Sequence, residues 1–129
     1  MDTNVLVRYL TQDDPIQSAR ATEVLEETIR VDNPGYVGLV VLAEMVRVLQ
    51  RAYRATNGEV EQTVVDLLQC RELIIEKREV VRQALSMAGN AGGSFVDALI
   101  AVDATNAGCD RVYTFDRRAT QVGMTLASS

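Results

Sequence analysis

The stretch Gly93–Val102, GSFVDALIAV, decides the fold. A small polar residue opens it and an apolar run follows, which is the pattern of a helix start. Asp97 stands inside that run, with Phe95 and Val96 before it and Ala98, Leu99 and Ile100 after it. A carboxylate among apolar neighbours is costly unless something compensates its charge. Asp97 follows Ser94 by three residues, the S-x-x-D/E spacing in which helix N–H groups and the helix dipole hold an acid. That plain capping role competes with a chemical one.

Working outward, REVVRQALSMAGN upstream reads as a helix and Ala91-Gly92-Gly93 as its break. Downstream, SFVDALIAVDATNAG is a helix closed by Gly108, a common residue after a helix end. RVYTF is a strand ending at Asp116, RRATQVG a short helix or turn, and MTL a small last strand. Toward the N-terminus, ELIIE is a strand, GEVEQTVVDLLQC a helix after the Asn57-Gly58 break, and LVVLAEMVRVLQRAYR another helix. In that last helix Val41, Met45, Val48, Leu49 and Ala52 form the expected apolar face, and Glu44, Arg47, Arg51 and Arg54 a polar stripe. YVGLVV is β-like, DNPG a turn, PIQSARATEVLEETIR an amphipathic helix and TNVLVRYLTQ a first helix ended by Asp13-Asp14-Pro15. Short strands alternating with helices predict an α/β domain around a mostly parallel sheet. Ligands gather at the carboxyl ends of such strands, and Asp116 lies at that edge.

The 129 residues suffice for one domain with a real core, and the 47% apolar content is that of a folded chain. No apolar run approaches the ~20 residues that span a bilayer. The N-terminus lacks a basic segment and a cleavage site, so cytoplasmic residence is the expectation. Cys70 and Cys109 lack metal-like spacing and are read as buried, reduced thiols. The chain has no histidine, which excludes a Ser-His-Asp triad, a Cys-His pair and imidazole metal ligation. The net charge of −5 does not indicate a generic basic nucleic-acid-binding domain.

Catalysis in such a chain falls to carboxylates, hydroxyls, Lys or Arg, or a metal. Asp2, Glu44, Asp97 and Asp116 each lie near a helix start, beside an apolar segment. Each also has a plainer reading: helix caps for Asp2 and Asp116, a first-turn acid for Asp97, an ion pair with Arg47 for Glu44. Packed around one parallel sheet, the four can converge, and converging carboxylates cannot all stay ionised without cations. Hard oxygen donors favour Mg²⁺ or Mn²⁺.

The segments DTNVLVRYLTQDDPIQSARA, LVVLAEMVRVL, SFVDALIA and YTFDRRA, in that order and spacing, resemble the PIN-domain family, specifically its VapC-like toxin ribonucleases. The resemblance spans nearly the whole chain. It implies a single PIN-like domain over residues 1–129, a three-layer α/β/α fold with a central, mostly parallel sheet. It implies Mg²⁺ or Mn²⁺ ligands at Asp2, Glu44, Asp97 and Asp116, and a supporting hydroxyl at Thr114. Asn4 would support Asp2. Asp97 would then be paired with a divalent cation. Asp2 directly follows Met1, so most of the first strand that the resemblance implies is missing, and Asp2 lies beside the α-amine.

The implied function is Mg²⁺-dependent hydrolysis of RNA by the toxin of a toxin–antitoxin pair. A cognate antitoxin and a homodimer are the implied protein partners. The apolar content of VLVRYL and VLEETIR is consistent with a shared groove. Arg8, Arg47, Arg51, Arg54, Arg117 and Arg118 are candidates for phosphate contacts, each with a solvated helix face as the plainer reading. With no Trp, four Tyr and two Phe, RNA recognition by shape is expected over base stacking. Alternatives are a PIN nuclease of RNA processing or DNA structures and an inactive PIN-like binding module. A carboxylate phosphotransferase of the D-x-D-x-T kind does not fit Asp2-Thr3-Asn4-Val5.

Overall fold

A computed structural model describes residues 1–12, 14–91 and 94–127, apart from the side chains of Asn90 and Ala91. The expected stop at Asp13 and the Gly92-Gly93 break lie outside the described residues. The chain divides into two compact units, Met1–Glu76 and Lys77–Ser129.

In the first unit, Asp2 caps helix α1 (Thr3–Thr11) by accepting from the Asn4 N–H at 3.4 Å. Asp14 caps α2 (Pro15–Glu23) through the N–H groups of Ile16 and Gln17, with Pro15 in the first turn. The helix expected through Arg30 widens into a π turn at Val24–Thr28, where the Ile29 N–H reaches back to the Val24 carbonyl at 3.1 Å. Strands β1 (Gly35–Val37) and β2 (Leu73–Ile75) pair in parallel, Tyr36 opposite Ile74. Val37 and Ile75 point into the core, while Tyr36 and Ile74 are exposed, as the two-residue period of a strand demands. A Cβ at Gly35, the first residue of β1, would stand 2.8 Å from Ile29 Cδ1, so the tip of that side chain would have to shift. The α-ammonium of Met1 donates to the Tyr36 carbonyl at 2.7 Å.

Helix α3 (Leu39–Ala52) follows Gly38, which offers no side-chain cap. Glu76, just past β2, supplies one: its Oε1 accepts from the Leu39 N–H at 2.7 Å. The helix buries Leu42, Met45, Val46 and Leu49. The expected face through Val41, Val48 and Ala52 is corrected, since Val41 and Val48 are half-buried and Ala52 is exposed. Apolar residues flank both sides of this helix, so two stripes one residue apart fit the same spacing. Helix α4 (Asn57–Gln69) contains Asn57-Gly58 rather than following it. Thr56 and Glu59 form a capping box there, each side chain meeting the other's backbone N–H, and this anchors the helix start before the glycine. Val60, Val64 and Leu67 complete the buried side of α4.

In the second unit, α5 (Arg78–Ala91) packs on α6 (Phe95–Asn106). Val80, Val81, Ala84 and Ala88 of α5 are buried, as are Phe95, Val96, Ala98, Leu99, Ala101 and Val102 of α6. Ser94 is the N-cap of α6, and Gly108, at φ +95°, turns the chain out of it in a conformation that suits glycine. Strands β3 (Tyr113–Thr114) and β4 (Thr125–Leu126) pair in parallel around a 3₁₀ segment, Arg117–Val122. Ala101, Ala119 and Met124 form a small core against which Val112 packs. The α/β class and the parallel pairing expected from the sequence both stand, in a mostly helical chain. No helix among the described residues is long and apolar enough to cross a membrane.

Candidate active site

The first unit brings Asp2 and Glu44 into relation through Thr3. Asp2 is exposed at the mouth of α1. Thr3, the next residue, is 6% exposed, and its Oγ1–H donates to Glu44 Oε2 at 3.3 Å. A hydroxyl that gives up water in this way needs a partner, and Glu44 is that partner. The exposed Glu44 carboxylate is thereby held over the start of α1. The expected support of Asp2 by Asn4 takes the form of the Asn4 backbone N–H.

The second unit carries Asp97 and Asp116. Asp97 occupies the third position of α6, half-exposed, and its backbone N–H makes a long 3.5 Å contact to Ser94 Oγ. Asp116 stands at the N-cap of the 3₁₀ segment and accepts from the Arg118 N–H at 2.9 Å. The Arg118 guanidinium approaches the same carboxylate at 3.4 Å. The Arg118 N–H first, and then its guanidinium, hold the Asp116 carboxyl below the usual carboxylate range. Thr114 Oγ1 accepts from the Asp116 N–H at 3.0 Å, so the hydroxyl fixes the turn that carries the acid.

The capping roles weighed from the sequence are therefore present for Asp2 and Asp116, and each leaves carboxylate oxygen exposed. Asp2 and Glu44 belong to the first unit and Asp97 and Asp116 to the second. Among the described residues, no three His, Cys, Asp or Glu side chains are grouped to hold a metal ion. The donor chemistry fits Mg²⁺ or Mn²⁺, since all four candidates offer carboxylate oxygen and none offers sulfur or imidazole.

Among the candidate arginines, Arg8 donates to Gln17 Oε1 at 2.8 Å and to the Tyr53 hydroxyl at 3.1 Å, and Arg118 is engaged by Asp116. Arg47, Arg51, Arg54 and Arg117 are exposed. Thr3 was not among the sequence candidates; its only sequence signal is a hydroxyl between Asp2 and the apolar stripe of α1. Cys70 and Cys109 are free thiols, as expected, but their expected burial is corrected, since Cys70 is half-buried and Cys109 is exposed. The first unit also contains an apolar groove of 460 Å³, walled by Leu6, Leu10, Leu25, Ile29 and Leu67, with Glu26, Asp66 and Glu72 on its lining.

The family model described as PIN domain matches residues 1–123. The chain is 24% identical over 124 residues to a VapC ribonuclease of Aquifex aeolicus (strain VF5), covering 95% of this chain and 90% of that protein. No solved structure matches the chain. The matched family model runs through both units and through all four acids, and so this chain belongs to the PIN-domain family and is VapC-like.

Proposed function

We propose that this chain is a divalent-metal-dependent endoribonuclease, the toxin of a toxin–antitoxin pair, and that both units make one PIN-like domain. The observation that carries this reading is the placement of the acids. In a chain matched to the PIN family from residue 1 to 123, Asp2, Asp97 and Asp116 each sit at the start of a helical segment, and Thr3 holds Glu44.

Asp2, Glu44, Asp97 and Asp116 would hold Mg²⁺, with Mn²⁺ as a substitute. When bound, such an ion lowers the pKa of water and offsets charge developing on a phosphate. The chain's own residues do the positioning. Thr3 fixes one rotamer of Glu44, and Thr114 fixes the turn bearing Asp116. Arg118 neutralises Asp116 in part, which limits repulsion of an incoming phosphate. First-turn N–H groups of α1 and the 3₁₀ segment hold one oxygen of Asp2 and of Asp116.

The acid-lined apolar groove of the first unit supports a second part of the reading. It suits the apolar face of a helix that also carries Lys or Arg, and an antitoxin tail of that composition would occupy it. A homodimer and cytoplasmic residence belong to the same proposal.

The test is cleavage of labelled structured RNA by purified, partner-free protein in Mg²⁺ and in EDTA. The reading predicts cleavage in Mg²⁺, none in EDTA and none with Asp97→Asn. Folded protein that leaves RNA intact in Mg²⁺ would be an inactive PIN-like module instead.

A further inference from the structure

The strand that leads to Asp116 has a second feature that the metal chemistry does not use. Along Arg111–Thr114 exposure alternates: Arg111 and Tyr113 are exposed while Val112 and Thr114 are half-buried, and past the end of β3 Phe115, Asp116 and Arg117 are all exposed. The cause is local. Val112 packs on Ala101, Ala119 and Met124, and β4 takes the Val112 and Thr114 carbonyls, with Thr125 N–H at 2.8 Å and Ala127 N–H at 2.7 Å. With Val112 turned inward, the chain turns Arg111 and Tyr113 outward, and Phe115 stands exposed just past the end of β3. The result is a Phe side chain 83% exposed and a Tyr 63% exposed, two residues apart, with an arginine at either end. Isolated exposed apolar residues need no explanation, but two aromatic rings bracketed by cations form a patch.

We propose that Tyr113 and Phe115 form a stacking platform for the bases of single-stranded RNA, with Arg111 and Arg117 on the flanking phosphates. The inference rests on the ribonuclease reading and names the form of its substrate, an unpaired segment. Two observations support it. Neither the Arg111 nor the Arg117 side chain makes a hydrogen bond or ion pair among the described residues, so both are open to phosphate. The charge of the molecule is also uneven. The second unit holds six of the 13 Lys and Arg and five of the 18 Asp and Glu, a net +1, while the first holds seven and thirteen, a net −6. A polyanion is therefore steered to the unit that carries the platform. Phe115 adjoins Asp116 in the chain, so a base on the ring brings its phosphodiester toward that acid. The expectation of recognition by shape rested on the low aromatic content, and exposure of two of the six Tyr and Phe residues at one place outweighs it.

The test uses binding in EDTA, so that it is read whether or not the protein cleaves. Fluorescence anisotropy with a labelled single-stranded RNA decamer is compared with the same sequence as a duplex. The proposal predicts tighter binding of the single strand, and at least a roughly five-fold loss with Phe115→Ala and with Tyr113→Ala. Circular dichroism checks that each variant is folded. The chain has no tryptophan, so Phe115→Trp supplies a single tryptophan, selectively excited at long wavelength, that keeps an aromatic ring there. Its emission should be quenched saturably by the single strand and little by the duplex. The proposal is overturned if the wild type binds no RNA, if duplex binds as well as single strand, or if Phe115→Ala leaves affinity unchanged. It is also overturned if Phe115→Ala alters only self-association, since the patch would then be a protein interface. Stacking without Mg²⁺-dependent cleavage would sink the ribonuclease reading and leave the platform.

Discussion

The Thr3 hydroxyl donates to Glu44 Oε2 at 3.3 Å, joining residues 41 apart in sequence. Thr3 is buried and Glu44 exposed, so the bond converts a fixed core position into a fixed carboxylate. Thr3→Val keeps the shape and removes the donor. We expect RNA cleavage to fall about ten-fold, the lower range for losing a hydrogen bond to a metal-holding residue. Stability should fall by no more than about 1 kcal/mol. Thr3→Ser should restore the activity, and the Mg²⁺ concentration for half-maximal cleavage should rise in Thr3→Val alone. An unchanged Mg²⁺ dependence in Thr3→Val would remove Thr3 as a positioning residue.

Ser18, in α2, is 2% exposed, and its Oγ has no hydrogen-bond partner among the described residues. A buried hydroxyl without a partner has lost water and gained nothing. Ser18→Ala removes that cost and adds helix propensity, so urea unfolding should show stability raised by roughly 1 kcal/mol. A loss of stability would mean that the hydroxyl is satisfied.

The capping box of α4 carries a pH signature. The Thr56 backbone N–H and then its hydroxyl hold Glu59 below its ordinary carboxyl pKa. A carboxyl depressed by folding contributes stability that is present above its unfolded pKa and lost as pH falls through its folded pKa. Glu59→Gln keeps the side-chain shape and loses the charge. The wild type should therefore be more stable than Glu59→Gln at neutral pH, with the gap closing as pH falls through the carboxylate range. Urea midpoints at several pH values measure it, and a gap that widens in acid would contradict the assignment.

Much of the fold was legible because helices and strands here follow local rules. The capping S-x-x-D of α6, Gly108 past its end and the strand within ELIIE lie where periodicity and turn residues put them, whereas YVGLVV is strand only to Val37 and passes into α3 at Leu39. The start of α4 was misread at Asn57-Gly58, although the T-x-x-E box at Thr56 and Glu59 outweighs a glycine in the first turn. The π turn at Val24–Thr28 has no sequence signal, since its side chains suit an α-helix equally well. The cap of α3 by Glu76 was hidden because it joins residues brought near only by the pairing of β1 with β2. At the site, the four acids were legible as residues. Their supports, Thr3 for Glu44 and Arg118 for Asp116, were not, because hydrogen bonds between side chains leave no periodic trace.

The groove of the first unit gives a further expectation. A peptide with Leu or Ile on one helical face and Lys or Arg beside them should bind there, and Leu67→Lys should weaken it by introducing a cation into the apolar wall. Calorimetry with the wild type and the variant reads the change, and equal affinity would place the peptide elsewhere.

The most direct test of the central claim is the rate of Mg²⁺-dependent RNA cleavage in Asp2→Asn, Glu44→Gln, Asp97→Asn and Asp116→Asn, each shown to be folded. Asn and Gln keep the shape and some of the hydrogen bonding while removing the charge that holds a hard cation. The account predicts a loss of at least about 100-fold in each of the three aspartate variants and a smaller but clear loss in Glu44→Gln. Cleavage at the wild-type rate by Asp97→Asn or Asp116→Asn would contradict it.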